Sequence, residues 1–131
     1  AKGMAQTGIV SAITDVISQA DFNVLLTVSL LIALMLFMTE LMSNVALVAV
    51  LSPVIAGIAM GLDIPIIYML IPVTMASSCA FMLPMATPPN AIVFASGYIK
   101  VSQMARAGVL INLLAIVLLI LLYQFALPLV F

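Results

Sequence analysis

The chain has 131 residues, of which 67% are hydrophobic and 5% charged, with a net charge of −1, no His and no Trp. A soluble domain of this size carries about 25% charged residues, so this chain could not cover a water-facing surface and lipid is its main solvent; the charge balance also excludes a nucleic-acid footprint. Cys79 is the only cysteine, which excludes an intrachain disulfide and a Cys-based metal site, and with no His, no metal cluster and no nucleophile–base pair the chain does not read as an enzyme.

The opening "AKGMAQTG" carries a Lys but no apolar stretch with a cleavage site after it, so it is not a signal peptide, and the absence of an initiator Met fits a processed product or a piece of a longer chain. Residues 7–19, "TGIVSAITDVISQ", are the most polar region. Ile9, Ile13, Val16 and Ile17 share one helical face, with Ser11, Thr14, Asp15 and Ser18 elsewhere, which suits a helix lying at the membrane interface or against other helices. Residues 22–38 form the first strongly apolar run. As a helix it covers roughly 25 Å, marginal for a hydrocarbon core of about 30 Å. A polar knot at 39–44, "TELMSN", follows, and then a second apolar run of similar length at 45–62. Asp63 and Pro65 give a helix-start signal, with Asp63 as N-cap and Pro in the first turn.

A third run at 64–85 carries Pro72 and Pro84 and is broken by "ATPPN", 86–90. Adjacent prolines remove two backbone donors and fix φ, yet proline is welcome in the first turn of a new helix. "PNAIVFASGYI", 89–99, therefore reads as a short second half-helix. Lys100 and Arg106 bracket a polar connection, and residues 109–131 are long enough to span a bilayer outright. The coarse expectation is an all-α membrane protein with two interruptions and no internal repeat.

Two readings stand for each interruption. Residues 39–44 are either a surface loop between two spanning helices or the tip of a re-entrant hairpin. The absence of Lys, Arg, Gly and Pro and the short flanking runs favour the hairpin. "ATPPN" is either a kink that only shapes a helix or a true break. Backbone without helical hydrogen bonds survives at membrane depth only inside protein or beside a water-filled cavity, and charge there is costly and usually functional. If both interruptions are true breaks, each pairs a helix C-terminus (near Glu40–Met42, near Met85–Ala86) with an N-terminus (near Val45, near Pro89). N-termini offer free N–H groups and partial positive charge, which suit a carboxylate. C-termini offer carbonyl oxygens, which suit a hard cation such as Na⁺. Helices interrupted in this way mark secondary transporters built from inverted repeats.

"TELMSNVALVAV", 39–50, followed by "SSCAFMLPMATPPNAIVFASGYIK", 77–100, resembles the C-terminal half of the divalent anion/sodium symporter family, which contains the INDY-type di- and tricarboxylate transporters. The likeness runs from about Thr7 to the end and is most specific over 77–100. It implies two inverted repeats, normally in a homodimer, each supplying a re-entrant hairpin and a broken helix, with a Ser-Asn-Thr motif at each hairpin tip. By that pattern the hairpin is 22–62 with its tip at 39–45, and the broken helix is 64–85 and 89–99. Ser43, Asn44 and position 45 would contact a substrate carboxylate, with Thr87 and Pro88 facing them. The family's second sodium site would map onto Thr39, Met42, Asn44 and Ala86, with Met42 and Ala86 acting through carbonyls. Two departures stand out. Val45 occupies the third motif position, where the family has Thr, and the first repeat is not in this chain, so these residues alone are not expected to transport.

The resemblance implies sodium-coupled uptake of a di- or tricarboxylate by a multi-pass inner (plasma) membrane protein. A sodium-independent dicarboxylate exchanger, to which Val45 lends weight, and a non-transporting membrane scaffold are the alternatives. The expected partners are the carboxylate, sodium, the lipid bilayer, the N-terminal repeat of the same transporter and a second copy. Lys100 and Arg106 are the only positive charges past residue 2, so the 100–106 connection is expected in the cytoplasm and the C-terminus outside. Glu40 has no Lys or Arg nearby in sequence. It could pair with the absent half, offset a bound cation or carry a proton, and a structural or electrostatic role is favoured because a carboxylate repels an anion. Thr74, Ser77 and Ser78 read as part of a small-residue packing face, and Met42, Met82 and Met85 as gap fillers.

Overall fold

The computed structural model describes residues 8–18 and 23–130, and among these there are helices and connections but no strand. The ends of three expected segments, at residues 7, 19, 22 and 131, lie outside the described residues. Helix α1 is Ile9–Ser18, α2 is Val24–Met38 and α3 is Asn44–Gly61. Helix α4 is Ile66–Ala76, α5 is Pro88–Ala95 and α6 is Val101–Leu121. A π-helical turn at Leu122–Ala126 leads into α7, Leu127–Val130. Among the described residues two helices could cross a membrane by length and composition, α3 and the run Val101–Ala126. The 15 residues of α2 cover only about 22 Å.

Asn23 caps α2, its side-chain oxygen accepting from Leu25 N at 3.0 Å. Along α2 the buried residues are Val28, Ile32, Met35 and Leu36, spaced as one helical face. The opposite face is equally apolar: Leu26, Leu30 and Leu34 are exposed. A water-soluble helix would be polar there, so this face belongs against lipid or further protein. Helices α2 and α3 each pack against α4, and α6 packs against α2 and α4. The core where they meet includes Ile55, Ile58, Met69, Val73 and Leu119. Lipid tails are as apolar as leucine, so this core is held by close packing and by the polar contacts described below, not by escape from water.

Helix α1 lies along α3, where Thr14 Oγ1 donates to Gly57 O at 3.0 Å. Val16, expected on its apolar face, is 67% exposed. The side chains of Ile9, Ile13 and Ile17 lie outside the described residues.

Four local expectations are corrected. Asp63 is not the N-cap of α4; Pro65 holds that position. Asp63 instead closes α3 with φ at +56°, its N–H bonding Met60 O while Ile64 N bonds Ala59 O. This is the paired 5→2 and 6→1 bonding of a Schellman end, with Asp where Gly is usual. The third apolar run is not helical to residue 85: α4 stops at Ala76 and residues 77–87 are unwound. The second half-helix starts one residue earlier than expected and ends at Ala95, followed by Gly97 at φ +77°. Arg106 does not lie in a connection, because α6 begins at Val101 with Gln103 Oε1 accepting from Lys100 N at 3.0 Å. The connection is 96–100.

Candidate functional site

Residues 39–43 turn the chain between α2 and α3. The N–H groups of Leu41 and Met42 both donate to Met38 O, so the turn is closed on the last carbonyl of α2. Thr39 is 0% exposed. Its Oγ1 lies within hydrogen-bond reach of both Asn44 Oδ1 and Ser77 O, the latter at 2.6 Å. A hydroxyl has one proton, so it satisfies only one of these two acceptors. Three oxygens therefore converge with a proton for one contact, a donor set that a hard cation would satisfy. Ser43 is the N-cap of α3 but its side chain makes no capping bond. The N–H groups of Asn44, Val45 and Ala46 have no partner among the described residues. This helix end thus offers free donors and positive dipole, with the Val45 side chain 80% exposed beside them.

The unwound segment 77–87 needs partners for the backbone groups that a helix would have paired. Glu40, 3% exposed, supplies them. Its Oε1 accepts from Phe81 N at 2.9 Å and Met82 N at 3.0 Å, and its Oε2 from Met82 N at 3.2 Å and Leu83 N at 3.1 Å. Asn112 Nδ2, from the middle of α6, donates to the same Oε1 at 2.8 Å. On the acceptor side, Asn90 Nδ2 donates to Ala80 O at 2.9 Å and Leu83 O at 3.0 Å. Helix α6 comes so close at Gly108 that a Cβ there would stand 2.5 Å from Met82 Cα.

Thr87 caps α5, its Oγ1 accepting from Asn90 N at 3.4 Å, with Pro88 and Pro89 in the first turn. Free N–H groups were expected at this helix start from the sequence. It has none to give. The two prolines carry no N–H, Asn90 N is taken by Thr87 Oγ1, and Ala91 N donates to Thr87 O. The first turn of α5 therefore offers an anion no main-chain donor, unlike the first turn of α3.

Residues 41–45 of the tip and 85–88 of the break line one cavity of about 480 Å³. It brings together Ser43, Asn44, Val45, Thr87 and Pro88, expected against a carboxylate, with Met42 and Ala86, expected to offer sodium their carbonyls. Thr39 is not on its wall and reaches it only through Asn44. A second hollow of about 420 Å³ lies on the other side of Asn44 and Val45, bounded by Thr74, Ser77 and Ser78. Thr74 and Ser77 spend their hydroxyls on local carbonyls, Leu70 O and Thr74 O, as packing residues do. The Ser77 carbonyl beside Thr39 was not anticipated.

Sequence reasoning also missed Asn112 and Gly108. The signal was present but unread: one Asn within "VLINLLAIVLLILLY", with a Gly four residues earlier and so on the same helical face. Glu40 was noticed without its partners, which lie 41 to 72 residues further along the chain.

The sodium:sulfate symporter transmembrane region family matches residues 1–131. Among curated relatives, the sodium-dependent dicarboxylate transporter SdcS of Staphylococcus saprophyticus is 35% identical over 129 residues, covering 98% of this chain and 25% of its own length. Solute carrier family 13 member 2 of mouse is 41% identical over 120 residues, 88% of this chain and 20% of its own length. Human Na(+)/dicarboxylate cotransporter 3 is 45% identical over 94 residues, 72% of this chain and 16% of its own length. The chain thus spans a quarter or less of the length of these relatives. With a match along its whole length, the chain belongs to the sodium:sulfate symporter transmembrane family.

Proposed function

We propose that the chain is the C-terminal part of a secondary transporter that moves a succinate- or citrate-like di- or tricarboxylate together with sodium. The observation that carries this reading is the single cavity shared by the tip and the break, with free N–H donors on one wall and converging oxygens behind it. In this reading Ser43, Asn44 and the first-turn N–H groups of α3 hold a carboxylate, with Val45, Thr87 and Pro88 shaping the cavity around it. Thr39, Asn44 and the carbonyls of Met42 and Ala86 hold Na⁺. The relatives named for sodium-dependent dicarboxylate transport support that pairing of cargoes. Residues 22–62 form a re-entrant hairpin rather than two spans. The shortness of α2 and the buried polar groups of residues 39–44 support this, because unpaired backbone at depth requires a surrounding cavity.

The rest of the transporter, an inverted N-terminal repeat, closes the site, and a second copy completes a homodimer. No residue of α5 is buried, and Ile92 and Phe94 are exposed on it, which fits a helix waiting for the remainder of the protein. The protein sits in the inner (plasma) membrane with 100–106 cytoplasmic and the C-terminus outside, on the strength of exposed Lys100 and Arg106.

Na⁺ and the anion share Asn44, so each lowers the cost of burying the other and their affinities are linked reciprocally. A coupling of about 1–3 kcal/mol tightens succinate binding roughly 5- to 150-fold in saturating Na⁺. The test is succinate binding to the purified full-length protein in NaCl and in choline chloride at matched ionic strength. Equal affinity in the two salts rejects symport and leaves the sodium-independent exchanger, for which Val45 at the tip is the supporting residue.

A further inference from the structure

We infer that Asn112 is a positioning residue for the tip-and-break site, acting through Glu40 without touching either cargo; this rests on the reading of that cavity as the sodium and carboxylate site. The buried residues of α6 are Gly108, Asn112 and Leu119. The first two are one turn apart and meet the unwound segment, Gly108 by close approach to the Phe81–Met82 backbone and Asn112 through the carboxylate that grips it. An asparagine at 0% exposure inside the otherwise apolar stretch 107–121 of this helix is a poor space filler. It carries a further penalty, because its Oδ1 has no partner among the described residues. Apolar side chains would fill the position at lower cost, so the amide is there for its donor.

That donor completes a bridge. Glu40 is bonded to Asn112 on one side and to Phe81, Met82 and Leu83 on the other. At one end of the bridge Glu40 follows Thr39 directly and precedes Ser43 and Asn44 by one turn of chain. At the other end Leu83 is held again by Asn90, whose own N–H is capped by Thr87. Both lips of the cavity are therefore tied to one buried carboxylate, and α6 fixes where that carboxylate sits. The arrangement is that of a second set of contacts orienting the groups that touch an ion, whose loss typically weakens binding about 10- to 100-fold.

The experiment uses the full-length protein with sodium and succinate as probes, each titrated at saturation of the other, on material checked for folding by gel filtration. Asn112→Ala weakens both affinities by about tenfold or more, in parallel, because both lips shift together. A merely structural role lowers the yield of folded protein and leaves the affinities of the folded fraction unchanged. If Asn112→Ala does not fold, Asn112→Ser, which keeps a donor, shows the same parallel loss to a smaller degree. A second readout uses polarity reversal. Asn112→Asp alone sets two carboxylates against each other. Combined with Glu40→Gln, the new amide at position 40 donates to the new carboxylate at position 112 and its oxygen still accepts from the Met82 and Leu83 N–H groups, while the Phe81 N–H alone loses its acceptor. The double variant therefore binds more tightly than Asn112→Asp alone, a coupling that independent sites would not show. Wild-type affinities in folded Asn112→Ala or Asn112→Ser, or a double variant no better than Asn112→Asp, overturn the inference. Failure of the wild-type protein to bind succinate in NaCl instead overturns the proposed function, and the inference with it.

Discussion

Gly108→Ala separates helix propensity from packing by sign. Propensity alone favours Ala over Gly in a helix interior by about 1 kcal/mol. The structure opposes it. The added Cβ would stand 2.5 Å from Met82 Cα and 2.7 Å from Phe81 C, and these are main-chain atoms that cannot swing aside. Restoring ordinary contact requires the segment or α6 to withdraw by about 1 Å. Overpacking of this kind costs about 1–3 kcal/mol. The withdrawal also stretches the bonds of Phe81 N and Met82 N to Glu40 from 2.9 and 3.0 Å to beyond hydrogen-bonding range. Each such bond to a charged group contributes about 1.5–3 kcal/mol. With the propensity gain subtracted, the expected net loss is about 3–8 kcal/mol if both are broken. The assay is thermal unfolding of the full-length protein in detergent, compared with wild type. In a Glu40→Ala background the same substitution should be much milder, since the segment is no longer held against α6. Unchanged or raised stability of Gly108→Ala, or strict additivity with Glu40→Ala, refutes the close approach and the anchoring argument built on it.

Three other outcomes are expected. Asn90→Ala, which frees Ala80 O and Leu83 O, should destabilise the protein by about 1–3 kcal/mol in the same unfolding assay; a neutral result would mean the break holds itself without that side chain. Thr39→Val keeps the shape and removes the hydroxyl beside Asn44 and Ser77, so a sodium titration of succinate binding should shift to higher sodium; an unshifted curve excludes this hydroxyl from the cation site. In intact cells and a Cys79→Ser background, an impermeant thiol reagent should label Asp63→Cys and spare Ser102→Cys, and the opposite pattern reverses the proposed orientation.

The turn between α2 and α3 and the start of α5 were legible in the sequence because their chemistry is local. "TELMSN" sets polar groups between apolar runs, and "TPPN" spells a capped helix start with prolines in the first turn, which is what α5 shows. What was not legible depended on distant partners. Residues 77–85 have a helix-compatible apolar composition, and nothing in that stretch says that three of its N–H groups are claimed by a carboxylate some forty residues earlier. For the same reason the free N–H groups expected at the start of α5 were an error of accounting: the prolines that announce the helix also delete its donors, and Thr87 takes the next one.

Glu40 shows why the two interruptions require each other. A buried carboxylate without a cation beside it is unfavourable unless hydrogen-bond donors surround it. A stretch of unwound backbone in the same medium is unfavourable unless acceptors surround it. Placed together, Glu40 meets the main-chain donors of Phe81, Met82 and Leu83, and each deficit is met by the other with no Lys or Arg of the described residues involved. Asn112 adds a side-chain donor, from the otherwise apolar stretch 107–121 of α6. The glutamate that looked out of place beside the tip is thus what allows the chain opposite to stay unwound. Because the same bonds fix the spacing between residues 39–45 and 85–88, the shape of the cavity follows from how the two irregular segments satisfy each other's polar groups.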